Sequence, residues 1–168
     1  MQIGYLTDHP DFIPTLARWH HQEWAYFRPG ESIEARTERL RHSCGQRQIP
    51  TVVIAFADGL LLGSAMLIAH DMDTRMDLSP WLAGVFVSPE HRRRGIGAAL
   101  VQRVIDEASA LGVERLYLYL YTPGAEEFYA RRGWLLIERT NYRGANVAVM
   151  SLDVSPGLGA RVALYFRF

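Results

Sequence analysis

The chain has 168 residues, 49% of them hydrophobic and 21% charged, and its 18 Lys and Arg balance 18 Asp and Glu. Such an apolar composition excludes an intrinsically disordered chain, and a net charge of zero argues against a globally basic surface made to hold nucleic acid. The length suits one domain with a sizeable core.

Cys44 is the only cysteine, so no internal disulfide forms and the chain fits the cytosol. The start, MQIGYLTDHPDF, has neither a basic stretch nor a long apolar one, unlike a secretory signal. The longest mainly apolar run, Leu60 to Ala69, is broken by Gly63 and Ser64 and falls short of the ~20 residues a membrane helix needs. These features predict a soluble cytoplasmic protein with no membrane partner.

In chain order, Gln2 to Leu6 reads as a short strand. A helix follows from Asp11 to about Glu23, with Asp11 as its cap and Pro14 in its first turn. A second helix runs from the N-cap Ser32 to about Cys44, and Gly45 closes it. Thr51 to Ala57 and Leu60 to Ala69 are strands joined by Asp58-Gly59, a tight-hairpin pair. A third strand, Trp81 to Val87, stops at Ser88-Pro89. A helix then spans about Gly95 to Leu111, with Leu100, Val101, Val104, Ile105 and Ala108 at helical spacing and Gly112 at its end. Leu116 to Tyr121 is a strand and Ala125 to Arg132 a short helix. Trp134 to Glu138 and Ala145 to Leu152 read as a closing pair of strands.

The order is β-α-α-β-β-β-α-β-α-β-β, an α/β fold (α+β by stricter bookkeeping). Its central sheet is mixed and mostly antiparallel, with parallel neighbours on either side of the Gly95 helix. Residues 1–154 form the domain. The tail, 155–168, carries a Pro-Gly-Leu-Gly hinge and a strand-like run. It reads either as a loosely docked terminus or as a strand packed on a partner subunit.

Chemistry concentrates in Val85 to Leu100, VFVSPEHRRRGIGAAL. A buried strand ends, and a loop rich in Arg and Gly opens directly into a helix. Free amides and the positive dipole end make such a helix start an anion site. Gly95 and Gly97 clear the backbone for a phosphate, and Arg92, Arg93 and Arg94 add charge. Two glycines at a helix start cost helix propensity, ~1 kcal/mol each, which a merely solvated loop would not require. Neither a dinucleotide fingerprint nor a Walker loop is present.

Arg92-x-x-Gly95-x-Gly97-Ala98, preceded by Val-x-Pro, resembles the acyl-CoA signature of the GNAT N-acetyltransferase superfamily, and the element order resembles that family from about Gln2 to Leu152. The resemblance implies acetyl-CoA as co-substrate and no metal. Backbone amides from Arg92 through Ile96 to Ala98 would hold its pyrophosphate, and main-chain groups of Val85, Phe86 and Val87 would pair with its pantetheine arm like an added strand. The run from Glu126 to Trp134, EEFYARRGW, is similar to a second family element. There Tyr129 falls where many members place a tyrosine that protonates the departing thiolate. Packing against Trp134 is its other reading.

An amine of pKa near 10 must lose a proton before it attacks. The strand Trp81 to Val87 carries no acid, so the candidate bases are Glu23, His70, Asp71, Asp73 and Asp77. In the resembling family the end of the first helix often lines the acceptor pocket. Glu23, Trp24, Tyr26, Phe27 and Trp81 are accordingly candidate substrate residues, with Asp71 and Asp73. The acidic loop Asp71 to Asp77 reads as facing a cationic acceptor or as solvated. Arg143 reaches an acceptor carboxylate or decorates a turn.

His20 and His21 are adjacent and point about 100° apart on a helix, which suits a single metal ion poorly. Cys44, at a helix C-terminus, reads as a structural thiol.

The implied activity is acetyl transfer from acetyl-CoA to a primary amine of a small molecule or peptide, by direct attack in a ternary complex. A non-catalytic acyl-CoA sensor is the alternative. A nucleic-acid partner is not expected, since the arginines at 92–94 stand in no wider basic surface. A homodimer is the default for small enzymes of this kind.

Overall fold

Along Thr51–Ala57 (β2) the side chains alternate between two cores, as the two-residue period of a strand requires. Val52 and Ile54 pack with Leu16 and Leu40 on one face, while Val53 and Ala55 join Leu100, Val104 and Ala108 on the other. This computed structural model describes residues 1–154, so the two readings of the tail lie outside the described residues.

Seven strands form one sheet: Gln2–Tyr5 (β1), β2, Leu60–Ile68 (β3), Trp81–Val87 (β4), Arg115–Leu120 (β5), Leu135–Tyr142 (β6) and Ala145–Asp153 (β7). Their spatial order is β1-β2-β3-β4-β5-β7-β6. Every neighbouring pair is antiparallel except β4 and β5. Helices Ile13–Trp24 (α1) and Ile33–His42 (α2) cover one face. The other face is covered by Ile96–Ala110 (α3), whose apolar stripe enters the larger core; Ala125–Ala130 (α4) follows β5.

Local signals set most boundaries. Asp58 and Gly59 take φ of 51° and 74° in the β2–β3 turn. The Ser32 side chain accepts a hydrogen bond from the Ala35 amide, capping α2. Two expectations shift. Pro10–Phe12 forms a separate 3-10 turn, so α1 begins at Ile13 and Asp11 makes no side-chain cap. Strand β6 continues past Glu138 to Tyr142, because Thr140 and Tyr142 pair with Val147 and Ala145. Trp134 precedes that strand and is buried in the main core.

None of the described helices is long and apolar enough to cross a membrane.

Candidate functional site

The site begins where β4 and β5 part. They pair in register only at Trp81 and Tyr117, helped by the Tyr117 amide donating to the Pro80 carbonyl. Beyond that point the strands diverge and leave main-chain groups of β4 without a strand partner. Such an edge receives an extended ligand as an added strand.

A bulge in β4 sharpens the divergence. Its register against β3 shifts between Ser64 and Met66, opposite Gly84. Gly84 has φ of 57°, and a Cβ there would approach Met66 Sδ to 2.8 Å, so both conformation and space call for glycine. The Ser64 hydroxyl donates to the Gly84 carbonyl at 2.9 Å, and the His20 ring nitrogen Nε2 lies 2.9 Å from the same hydroxyl oxygen. With the single hydroxyl hydrogen used on Gly84, Nε2–H of His20 is the donor to Ser64. Burial, with Arg36 and Arg39 adding to it, pulls His20 down to about 3, so the ring is neutral. The chain Nε2–H, hydroxyl, carbonyl ties α1 to the bulge.

Downstream, Pro89–His91 forms a 3-10 turn, Arg93 adopts φ of 60° and Gly95, at 78°, leads into α3. The first main-chain bond of α3 runs from the Ala99 amide to the Gly95 carbonyl. The amides of Ile96, Gly97 and Ala98 therefore have no acceptor within the helix. A Cβ on Gly97 would meet only Val87, at 3.7 Å, so the space above this amide row is open on the protein side. Arg92 donates from Nε to the Val87 carbonyl at 3.0 Å, bracing the loop, while Arg93 and Arg94 are exposed. Open amides, a bare helix start and cations around it fit a diphosphate. The Phe86 ring packs on Trp19 with centroids 5.3 Å apart, which leaves its main chain for the edge of β4.

A cavity of about 560 Å³ continues from β4 between α1, α2, β5, α4 and the β6–β7 hairpin. Val85, Tyr129, Glu23, Trp24, Phe27 and Asp71 line it, as does His70. Trp81 and Asp73 do not. Trp81 is wholly buried, with its indole N–H on the Leu78 carbonyl, and is a core residue instead of a pocket wall. Asp73 is exposed and pairs with Arg143 at 3.0 Å. Asp77 pairs with Arg75, also at 3.0 Å. The acidic loop thus spends two of its three carboxylates on arginines and presents only Asp71 to the cavity. Tyr26 is 64% exposed and stands outside it.

Tyr129 is 7% exposed and lies edge-on to Trp134, with centroids 5.9 Å apart. Burial pushes its phenol up to about 12, so the hydroxyl keeps its proton at every physiological pH. Removal from water pushes the Asp71 carboxyl up to about 6, against the opposing pull of Arg28, Arg39, Arg143 and Arg36.

The sequence reading missed Arg28, Arg36 and Arg39, all of which line the cavity. Their one sequence signal is the spacing of Arg36, Arg39, Leu40 and Ser43, which places them on one face of α2. Arg143 sits at the tip of the β6–β7 hairpin with φ of 50° and donates to the Phe27 carbonyl as well as to Asp73.

His20 and His21 turn to separate partners, Ser64 and the Glu31 carbonyl. Among the described residues no group of three or more His, Cys, Asp or Glu is arranged to hold a metal ion. The Cys44 thiol reaches the Leu40 carbonyl at 3.1 Å, and burial pushes it up, away from the reactive thiolate.

Comparison with known proteins gives this geometry its context. The profile of the Acetyltransferase (GNAT) family matches residues 16–134. A mycothiol acetyltransferase from Kineococcus radiotolerans is 36% identical over 115 residues, covering 65% of this chain. This chain spans only 36% of that relative's length. Among solved structures, an aminoglycoside 6'-N-acetyltransferase complexed with coenzyme A superposes with a TM-score of 0.74 at 18% identity, covering 94% of this chain and 99% of the other. A ribosomal-protein-alanine N-acetyltransferase from Brucella melitensis gives 0.72 at 19% identity, covering 91% and 99%. At these identities the structural likeness establishes the fold. The profile match, which spans most of the sheet and the whole amide-bearing loop, establishes more: this chain belongs to the GNAT acetyltransferase family.

Proposed function

We propose that the protein transfers an acetyl group from acetyl-CoA to a primary amine by direct attack within a ternary complex. One observation carries this reading: β4 is left unpaired where it parts from β5, with the open amides at the start of α3 beyond its end and a cavity lined by Val85 and Tyr129 beside it.

Each part has a physical role. The amides of residues 96–98 and the dipole of α3 hold the diphosphate, and Arg93 and Arg94 add charge beside it. The β4 edge at Val85 to Val87 accepts the pantetheine arm as a strand and points amide donors toward the thioester carbonyl, where negative charge grows during attack. Acetyl-CoA supplies an acyl group on a good leaving thiolate. Asp71 takes the proton from the attacking amine, its raised pKa bringing it closer to neutrality. Glu23 and Trp24 border the acceptor. Tyr129, always protonated, donates a hydrogen bond to the departing sulfur. Holding both reactants in one cleft supplies the largest share, ~7–11 kcal/mol in well-oriented systems.

The same reading places the protein in the cytoplasm, where the lone thiol Cys44 needs no oxidising environment. It also pairs two copies along the sheet edge, where Leu135, Leu136 and Ile137 of β6 are exposed.

Thiol release from acetyl-CoA across a broad panel of amines tests the activity. The expected result is turnover that falls about a hundredfold in kcat in Tyr129→Phe, with little change in KM for acetyl-CoA. Tight acetyl-CoA binding with no turnover on any amine would instead establish a sensor.

A further inference from the structure

Four arginines converge on the acceptor end of the cavity from segments far apart in sequence: Arg28 after α1, Arg36 and Arg39 on α2, and Arg143 at the β6–β7 turn. None belongs to the loop that would hold the diphosphate of acetyl-CoA, so the cofactor does not account for them. All four act on a common point, the Asp71 carboxyl; burial, and then the charge of Arg28, lowers the proton affinity of Arg36, and burial, then Arg36 and Arg28, lowers that of Arg39. Like charges held this closely are costly unless anions face them.

The protein pairs three of them. Glu31 is shared, one carboxylate oxygen 2.6 Å from Arg36 and the other 2.9 Å from Arg39. Arg143 has Asp73. The Arg28 side chain has no hydrogen bond or ion pair among the described residues. Glu23, the other acid on the wall, interacts with Tyr121. With Asp71 and Glu23 ionised the charges balance, and among the described residues Arg28 is the one of the four whose side chain has no partner of its own. Arg36 is 7% exposed, and its Nε, like the Nε of Arg39, is buried with no acceptor. Buried guanidinium donors without acceptors are rare in a finished site.

We propose that these arginines form an anion subsite and that the acceptor is an amine that also carries a carboxylate, as a free amino acid or a peptide with a nearby carboxylate does. The inference rests on the acetyl-transfer reading and narrows its substrate. A carboxylate would give the Arg28 side chain a partner, and its planar pair of oxygens suits guanidinium forks. The amine then lies toward Asp71, and the aromatic wall of Trp24, Phe27 and Tyr121 covers the body between the two ends. This reverses the preference for a cationic acceptor that the acidic loop suggested, because Asp73 and Asp77 are occupied by Arg143 and Arg75.

The test is calorimetry on the full chain saturated with coenzyme A, titrated with N-acetyl derivatives of the common amino acids as matched free acids and primary amides. The acids are expected to bind more tightly, the best pair by roughly tenfold or more. Arg28→Gln, at an exposed position with no partner to disrupt, is expected to erase most of that preference, and Arg39→Gln to reduce it further. Coenzyme A binding together with equal affinity for acids and amides would overturn the inference alone. So would an acid preference untouched by both variants. A folded protein that fails to bind coenzyme A would overturn the acetyl-transfer reading and the inference with it.

Discussion

Asp71 is held between two opposing effects. Loss of water raises its pKa and four nearby arginines lower it, and the first wins, leaving the carboxyl at about 6. As a base it acts only when ionised, so kcat/KM is expected to rise with pH through about 6 and then level. Asp71→Asn removes that limb. The rate should then track deprotonation of the amine itself, climbing about tenfold per pH unit toward the amine's own pKa near 10. An unchanged profile in Asp71→Asn would remove Asp71 from the chemistry and leave water or Glu23 as the proton acceptor. In the proposed mechanism Tyr129 works from the opposite side. A phenol near 12 is a weak acid, so its contribution is a hydrogen bond held toward sulfur more than a completed proton transfer.

Among the elements, β4 does the positioning, and its shape depends on partners from β3 and α1. Gly84 departs from strand geometry, and Ser64 on β3 and His20 on α1 hold it there. Ser64→Ala leaves the Gly84 carbonyl and the His20 N–H without their partners, at a cost of about 1–3 kcal/mol. If the bulge aims the amide edge of β4, the variant should also raise KM for acetyl-CoA several-fold. A lower melting temperature with kinetics unchanged would reduce the network to a structural role. The strand itself was legible in the sequence, from Trp81 to the Ser88-Pro89 stop. Its bulge was signalled only by a glycine inside an apolar run, a mark equally compatible with an ordinary strand.

Across the whole molecule, legibility followed the range of the interactions. The Asp58-Gly59 turn, the Ser32 cap and the Gly95–Gly97 loop are local devices, set by residues a few positions apart, and they appear in the structure where the sequence puts them, whereas the Asp11 cap does not form. The arginine cluster is built by residues from 28 to 143, and only the closed fold brings them to one wall. The same holds for Trp81, apolar and near the signature, which the packing of Phe27, Tyr142 and Val149 draws into a core and away from the cleft.

The central claim is that the start of α3 and the open edge of β4 hold acetyl-CoA, and the most direct measurement is a calorimetric titration of the protein and of Gly97→Leu with acetyl-CoA. Gly97 has open space on its protein side, so the variant is expected to fold with the same melting temperature while its side chain covers the amide row. Micromolar binding in the parent, weakened at least about a hundredfold in Gly97→Leu through loss of charged hydrogen bonds, is the predicted result. Equal binding by both, or none by the folded parent, would contradict it.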